Sequence, residues 1–559
     1  MSSTKILGID LGTTYSCVAH IDEIGKPVVL HNSDGESTTP SAVHFENEDS
    51  IIVGTQAKNF SKIDPDRVAE YFKRSMGNPS FSFAVDGKEY RPEEISAYVL
   101  RKLVQDASHA LNETITDVVI TCPAYFGINE REATKNAGTL AGLNVRHILN
   151  EPTAAAIFYG LHRTQKDQVV LVYDLGGGTF DITVIDLRGG NINVVVTGGN
   201  HYLGGKNWDD RITEYLAAEF CNAHPDKNSP LDNPYSYQDI LKSAEQAKIS
   251  LTTKEKYKSP VLHDGERVLV ELTREKFEDL TSDLLEQTIT LTRKVMEEAG
   301  KKGYGKVDLV ILVGGASKMP AVARKLKEEL GVEPQLLEPD LAVAKGAALM
   351  GYKILAGEEI TYKVAEQQGI SPDEVDLEKV DEKVLEKAAQ SAAAEAGTMF
   401  RMPARDLLNM ARRQITNVCS KGFGVVVKDL ATKKHIVAFL IHKNTSLPAE
   451  STQEFGTEMA NQTSVEIRVM EQTGEEESFE VADNNQVGEG VLVGFPTHLP
   501  QGSPIQITFR LQEDGTLSVN GLEPSSKTNL DFEVKVQDGV MSQAEVEEKK
   551  GLMLKQTVS

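Results

Sequence analysis

The sequence predicts a two-lobed α/β domain followed by a β-sandwich, and three observations carry the prediction. Strand-like apolar runs alternate with helix-like segments from the N-terminus to about residue 357, the pattern of parallel sheets joined by crossover helices. Within that stretch the same glycine turn between two strands occurs twice. From about Thr416 to Val536 the period changes to simple alternation, with short strands punctuated by turns.

The first turn follows Ile6 to Ile9 and reads Asp10-Leu11-Gly12-Thr13-Thr14, leaving along Tyr15 to Ala19. Its second copy follows Leu171, Val172 and Tyr173, reads Asp174-Leu175-Gly176-Gly177-Gly178-Thr179, and leaves along Phe180 to Val184 with Asp181 in it. Glycines here let successive backbone N–H groups approach a polyanion closely. One such turn is most often only a hairpin shape. Two of them facing each other across a cleft can grip a nucleotide tail from both sides, with Asp10 and Asp174 converging on one hydrated Mg²⁺. A third glycine turn, Gly314-Gly315-Ala316-Ser317, follows the strand Val307 to Val313 and leads to a helix from about Pro320. It would let the chain pass close to a base or ribose.

Composition sets the outer bounds. At 559 residues the chain has room for several domains. A net charge of −24 argues against nucleic acid or an anionic membrane as the main partner. Cys17, Cys122, Cys221 and Cys419 are scattered, without metal-ligand spacing, and read as reduced thiols. The chain enters a strand at once after Met1-Ser-Ser-Thr-Lys5 and holds no apolar run long enough to span a bilayer, so a cytoplasmic protein is expected.

Longer phrases resemble one family. Gly8 to Val18 (GIDLGTTYSCV), Thr38-Thr-Pro-Ser41, Val53 to Lys58, Pro123-Ala-Tyr-Phe126, Asn150 to Ala156 (NEPTAAA), Leu203-Gly-Gly205 and Val313-Gly-Gly315 read as a 70-kDa heat-shock (DnaK-like) protein. The resemblance is close from Lys5 to about Leu355. It implies an actin-like ATPase domain with a peptide-binding sandwich, a chaperone that couples ATP hydrolysis to the binding of extended hydrophobic segments of unfolded proteins, and a place in protein folding and stress response. It also implies ATP or ADP with Mg²⁺ and K⁺, a J-domain co-chaperone and a nucleotide-exchange factor. The same resemblance leaves open an ATP-binding switch or co-chaperone scaffold with weak or absent hydrolysis.

By the same resemblance, Lys73 points at the γ-phosphate and positions the attacking water, Glu151 contacts metal-bound water, and the Thr179 hydroxyl faces the γ-phosphate, with Asp10, Asp174 and Asp181 completing the catalytic group. The nucleotide set adds Gly12, Thr13, Thr14, Tyr15, Gly176, Gly177, Gly178, Gly204, Gly205, Glu245, Lys248, Thr252, Gly314, Gly315, Ala316, Lys318 and Asp340. Glu245 and Lys248 fall on neighbouring turns of one helix and are implied to reach the ribose; a plain surface ion pair reads the same in sequence. Ile249 and Lys318 stand where some members place arginines around the adenine, and Lys318 lacks their flat stacking surface. In the sandwich, Val425, Phe455 and Val465 are implied to line the peptide pocket, although any sandwich core wants such residues. The loops arching over the peptide fall near Lys428 and Glu458, where apolar residues are more usual, so a weaker or more polar peptide preference is expected.

The expected domains are 1–357 for the nucleotide, 358–414 as a helical insertion or linker, 415–540 for peptide and 541–559 as a short remnant of a helical lid. In the insertion, Ser371-Pro372-Asp373-Glu374 predicts a helix start leading into an Ala-rich segment stopped by Gly397. A second amphipathic helix is expected after Pro403 through Leu407, Leu408, Met410 and Ala411. The family's short acidic-leucine linker, which adds an edge strand to the ATPase domain, has only two imperfect substitutes here, Asp406-Leu407-Leu408 and Ile415 to Val418. Met541-Ser542-Gln543-Ala544-Glu545 carries a capping box, with room for about four turns to Ser559 at roughly 1.5 Å per residue.

Overall fold

The computed structural model describes residues 5–162, 167–395, 400, 402–534 and 540–559. Two six-stranded sheets form the cores of two lobes. In the first, Leu7–Asp10 pairs antiparallel with Tyr15–Ile21 and parallel with Asp117–Cys122. The second repeats the arrangement: Gln168–Leu175 pairs antiparallel with Phe180–Arg188 and parallel with Leu309–Val313. These central strands are apolar on both faces because helices cover both sides. Each glycine turn therefore sits at the carboxyl end of a buried central strand, where α/β sheets open their ligand crevices.

The helix Ala342–Gln368 joins the lobes, packing on Glu151–His162 and on the first lobe's central strands. Small residues make that approach possible. A Cβ on Gly8 would stand 2.0 Å from the Ala348 nitrogen, and one on Gly346 would stand 1.8 Å from the Ala154 carbonyl oxygen. The expected boundary at residue 357 falls inside this helix, which continues to Gln368 and stops where Gly369 turns left-handed at φ 68°.

The insertion differs from the expected helix start. Ser371 and Glu374 do form a capping box, but around one 3₁₀ turn, Pro372–Glu374. The α-helix begins at Glu382 and runs to Glu395, because Val375, Leu377 and Val380 first cross the lobe surface and pack against its core. Gly397, its expected stop, lies outside the described residues, as does Val536. The second helix forms as expected, Ala404–Arg412, burying Leu407, Leu408 and Ala411 in the same apolar cluster as Phe158 and Tyr352. Of the two linker substitutes, Ile415–Thr416 takes the edge-strand role, pairing parallel with Ile192 and Asn193 on Asn191–Asn200, while Asp406 to Leu408 are helical.

The sandwich stacks one sheet ordered His435–Ile441, Phe423–Lys428, Ser464–Gln472, Asn484–Val493 against another ordered Ala449–Gly456, Pro504–Leu511, Leu517–Glu523, Thr528–Glu533. It sits against the two lobes. Asn444, at φ 63°, takes a hydrogen bond from the Thr197 backbone N–H at 2.9 Å and donates to Glu298 at 2.7 Å. Glu471 accepts from the Ile128 backbone N–H at 3.0 Å, and the Tyr125 hydroxyl donates to the Gly474 carbonyl at 2.8 Å. No helix among the described residues is long and apolar enough to cross a membrane.

Candidate active site

The two glycine turns meet face to face. A Cβ on Gly177 would lie 2.1 Å from the Thr14 hydroxyl oxygen, and one on Gly178 would lie 2.4 Å from Thr13. Only glycine lets the lobes come this close. The first turn is fixed from below, with the Gly12 N–H donating to Ser16 Oγ at 3.1 Å and Ser41 Oγ donating to the Gly12 carbonyl at 2.7 Å. The second is held by the loop behind it, where the Gly205 and Lys206 N–H groups donate to the Gly176 and Gly177 carbonyls at 2.9 and 2.8 Å. Gly204 lies against Gly178, too close for any side chain. Gly314, at φ 80°, backs onto the Leu175 carbonyl, where a Cβ would stand 2.4 Å away.

Between the turns lies a cleft of about 320 Å³. Of the expected catalytic residues, Asp10, Lys73, Glu151, Asp174 and Thr179 line it. Asp181 sits just behind the wall, taking a hydrogen bond from the Tyr125 N–H at 3.2 Å. Most of the expected nucleotide set also lines the cleft, from Gly12 through Tyr15 to Thr252, Lys318 and Asp340; Gly178 and Gly204 instead build the turn from behind.

Charge is concentrated on the floor. Lys73 Nζ donates to Glu151 Oε1 at 2.6 Å, and both side chains are buried. Burial works against the Lys73 charge, but Glu151 and Asp10 outweigh it and hold its pKa above the ordinary value. Burial, reinforced by Glu151, pushes both Asp10 and Asp181 up to about 7. Asp174 is raised well above its usual range by the same causes, with Asp181 and Asp10 adding repulsion. One lysine among four carboxyl groups, three of them buried and Asp10 partly so, leaves negative charge uncompensated, a donor set suited to a hydrated divalent cation. Among the described residues no three acidic or histidine side chains gather closely enough to ligate a metal directly, so contact through water fits Asp10 and Asp174.

On the rim, Glu245 and Lys248 do not pair with each other. Glu245 is salt-bridged to Lys58 of the opposite lobe at 2.7 Å, and Lys248 to Asp209 at 2.7 Å. Lys318 is ion-paired with Asp340, and Ile249 is half exposed at the cleft mouth. Sequence reasoning missed Lys58 and Asp209 as site residues, and also Arg74, whose Nε donates to the Gly178 carbonyl at 2.8 Å while an Nη donates to Asn207 at 2.7 Å. Nothing local marks them: each acts on a partner far along the chain.

The sandwich residues converge less sharply. Val425 is fully buried in the sandwich core, with Phe455 and Val465 half-buried against it. Lys428 and Glu458, expected on the arching loops, are joined as an ion pair.

The model of the Hsp70 protein family matches residues 6–387 and 417–558, leaving only 388–416 between the two blocks. The chain belongs to the Hsp70 family.

Proposed function

We propose that the protein hydrolyses ATP in the interlobe cleft and binds extended polypeptide on its sandwich, with the two activities coupled through the docked domain interface. The observation that carries the reading is the 2.6 Å Lys73–Glu151 pair on the floor between the two phosphate turns. Phosphoryl transfer asks little covalent chemistry of a protein; charge placement and alignment of the attacking water supply most of the rate. Lys73, held charged by Glu151 and Asp10, is suited to orient water and offset charge at the γ-phosphate. The Gly12–Thr14 and Gly176–Thr179 turns hold the phosphates by backbone N–H groups and hydroxyls, and the lobes exclude bulk water. Mg²⁺, when bound through water to Asp10 and Asp174, neutralises phosphate charge.

On the sandwich, backbone pairing to an extended segment with an apolar pocket at Val425, Phe455 and Val465 is the recognition mode that fits. The Lys428–Glu458 pair makes the arch ionic, which favours segments with polar or charged residues beside the apolar anchor. Coupling is supported by the Ile415–Thr416 edge strand and by Asn444 and Glu471 bridging the domains. Single-turnover hydrolysis by the full chain with Mg²⁺ and K⁺, with and without excess aliphatic-rich peptide, tests the reading. Peptide-stimulated turnover supports it. Hydrolysis indifferent to peptide removes the coupling, and binding without hydrolysis turns the chain into an ATP-responsive scaffold.

A further inference from the structure

Thr252 and Met319 line not only the interlobe cleft but also a second cavity, of about 280 Å³, in the second lobe. None of the catalytic set reaches it. Its apolar wall is made by Trp208, Leu251, Phe277 and Val322, all buried members of that lobe's core. The volume suits a small molecule and is far too small for a peptide.

The polar side of the cavity is built from backbone. The helix Ser282–Lys301 begins there with Thr281 and Ser282, and the helix Pro320–Leu330 begins there with Met319, Pro320 and Ala321. Neither N-terminus receives a side-chain cap. Two helix starts, each carrying roughly half an elementary positive charge, thus face one small volume. A third donor stands in the apolar wall. Trp208 is only 2% exposed, yet its indole N–H makes no hydrogen bond among the described residues. Buried tryptophans usually pair that N–H, so a ligand acceptor would complete it. The acidic side chains at the mouth are otherwise engaged: Glu278 accepts from Arg324 at 2.6 Å, Glu286 accepts from Arg293 at 2.8 Å, and Asp279 is exposed. Arg274 is committed as well, with Nε on the Leu251 carbonyl and Nη1 on Glu255, both at 2.8 Å.

We propose that this cavity binds a small organic anion, with an apolar or aromatic body against Trp208, Phe277 and Val322 and a carboxylate toward the two helix starts. The apolar wall supplies burial, and the unpaired donors supply the preference for charge. The site is separate from the interlobe cleft, and the inference does not depend on ATP hydrolysis.

Trp208 is the single tryptophan of the chain, so its fluorescence reports this wall alone. Titrating the full chain with phenylpropionate should change that fluorescence saturably, with a matching Kd by calorimetry; no saturable change overturns the proposal. Phenylpropanol has the body without the charge, and acetate has the charge without the body. Each should bind at least about tenfold more weakly than phenylpropionate, and equal binding of either sinks the idea. Saturating ADP should leave the phenylpropionate Kd within about threefold, whereas displacement would put the ligand in the interlobe cleft instead. Ala321→Phe narrows the cavity from the start of a helix and should weaken phenylpropionate about tenfold or more, with ADP affinity unmoved; unaltered phenylpropionate binding overturns the assignment. Trp208→Phe keeps a ring and loses the N–H. Calorimetry should then show phenylpropionate about tenfold weaker and phenylpropanol little changed, while undiminished phenylpropionate binding would remove the indole donor on which the proposal stands.

Discussion

Arg74 Nε lies 2.8 Å from the carbonyl oxygen of Gly178, so the residue after Lys73 on the first lobe grips the residue before Thr179 on the second. The two sides of the cleft are thereby registered against each other by one guanidinium. Arg74→Ala is expected to lower kcat for ATP about tenfold while KM moves less than about twofold, with Arg74→Lys recovering part of the loss. Steady-state kinetics over an ATP series separates this from a folding defect, which would lower the active fraction without favouring lysine over alanine.

Among the described residues, Lys73→Ala removes the only ammonium set among Asp10, Glu151, Asp174 and Asp181. Single-turnover hydrolysis should fall about 10²–10³-fold, the size seen when one preorganised charge-stabilising donor is lost. Glu151 then faces Asp10 and Asp174 unpaired, so Lys73→Ala/Glu151→Gln should melt higher than Lys73→Ala while remaining inactive.

At the domain interface Lys421 is buried 3.9 Å from both Glu471 and Glu130. Removing Glu471 leaves Lys421 facing Glu130 alone and the buried Ile128 N–H without its acceptor, the latter costing about 1–3 kcal/mol. Glu471→Ala should undock the sandwich, seen as an increased radius of gyration in solution scattering. Glu471→Gln keeps an acceptor for the Ile128 N–H and should undock it less.

Glu93 is fully buried; one oxygen accepts from the Met541 N–H at 3.3 Å, and the other has no hydrogen-bond partner among the described residues. Burial raises its pKa above the ordinary carboxylate value. The folded state thus holds this proton to higher pH than the unfolded chain does, so the group's stabilising contribution is complete below the unfolded value and is lost as pH rises through the folded one. Glu93→Gln should therefore flatten the pH dependence of melting above the ordinary carboxylate range and raise Tm at neutral pH by about 1–3 °C. Calorimetry across pH 4–8 checks both the slope and its sign, since this is about the range where a raised carboxyl titrates.

The interlobe cleft was legible because its parts are backbone features. A strand ending in Asp-Leu-Gly-x-x states where a glycine turn stands, and the repeat at Asp174 says that there are two. The sandwich was half legible. Strands with bulky alternation, such as Val465 to Met470, announce themselves, whereas Ala449–Gly456 is polar along most of its length and shows itself only as the hydrogen-bonded neighbour of Pro504–Leu511. The capping box at Ser371 formed, yet led into no helix, because the apolar residues after it were claimed by the lobe core. Lys58, Arg74 and Asp209 could not be read, since their meaning lies in partners brought near by folding. The acidic capping box at Ser542 did predict a helix, but nothing in it says which domain that helix will join.

The Ile415–Thr416 strand lies within the 388–416 stretch that the family model leaves unmatched, directly after the helix Ala404–Arg412, whose Leu407 and Leu408 are rooted in the lobe core. The strand and its anchor are therefore one module. Cutting the insertion out to make a shorter protein would delete the sheet-edge contact with it, and transplanting the strand alone would leave it without the helix that sets its register. A graft meant to carry this chain's interdomain junction into another member of the family would have to move the helix and the strand together, along with an apolar seat to receive them.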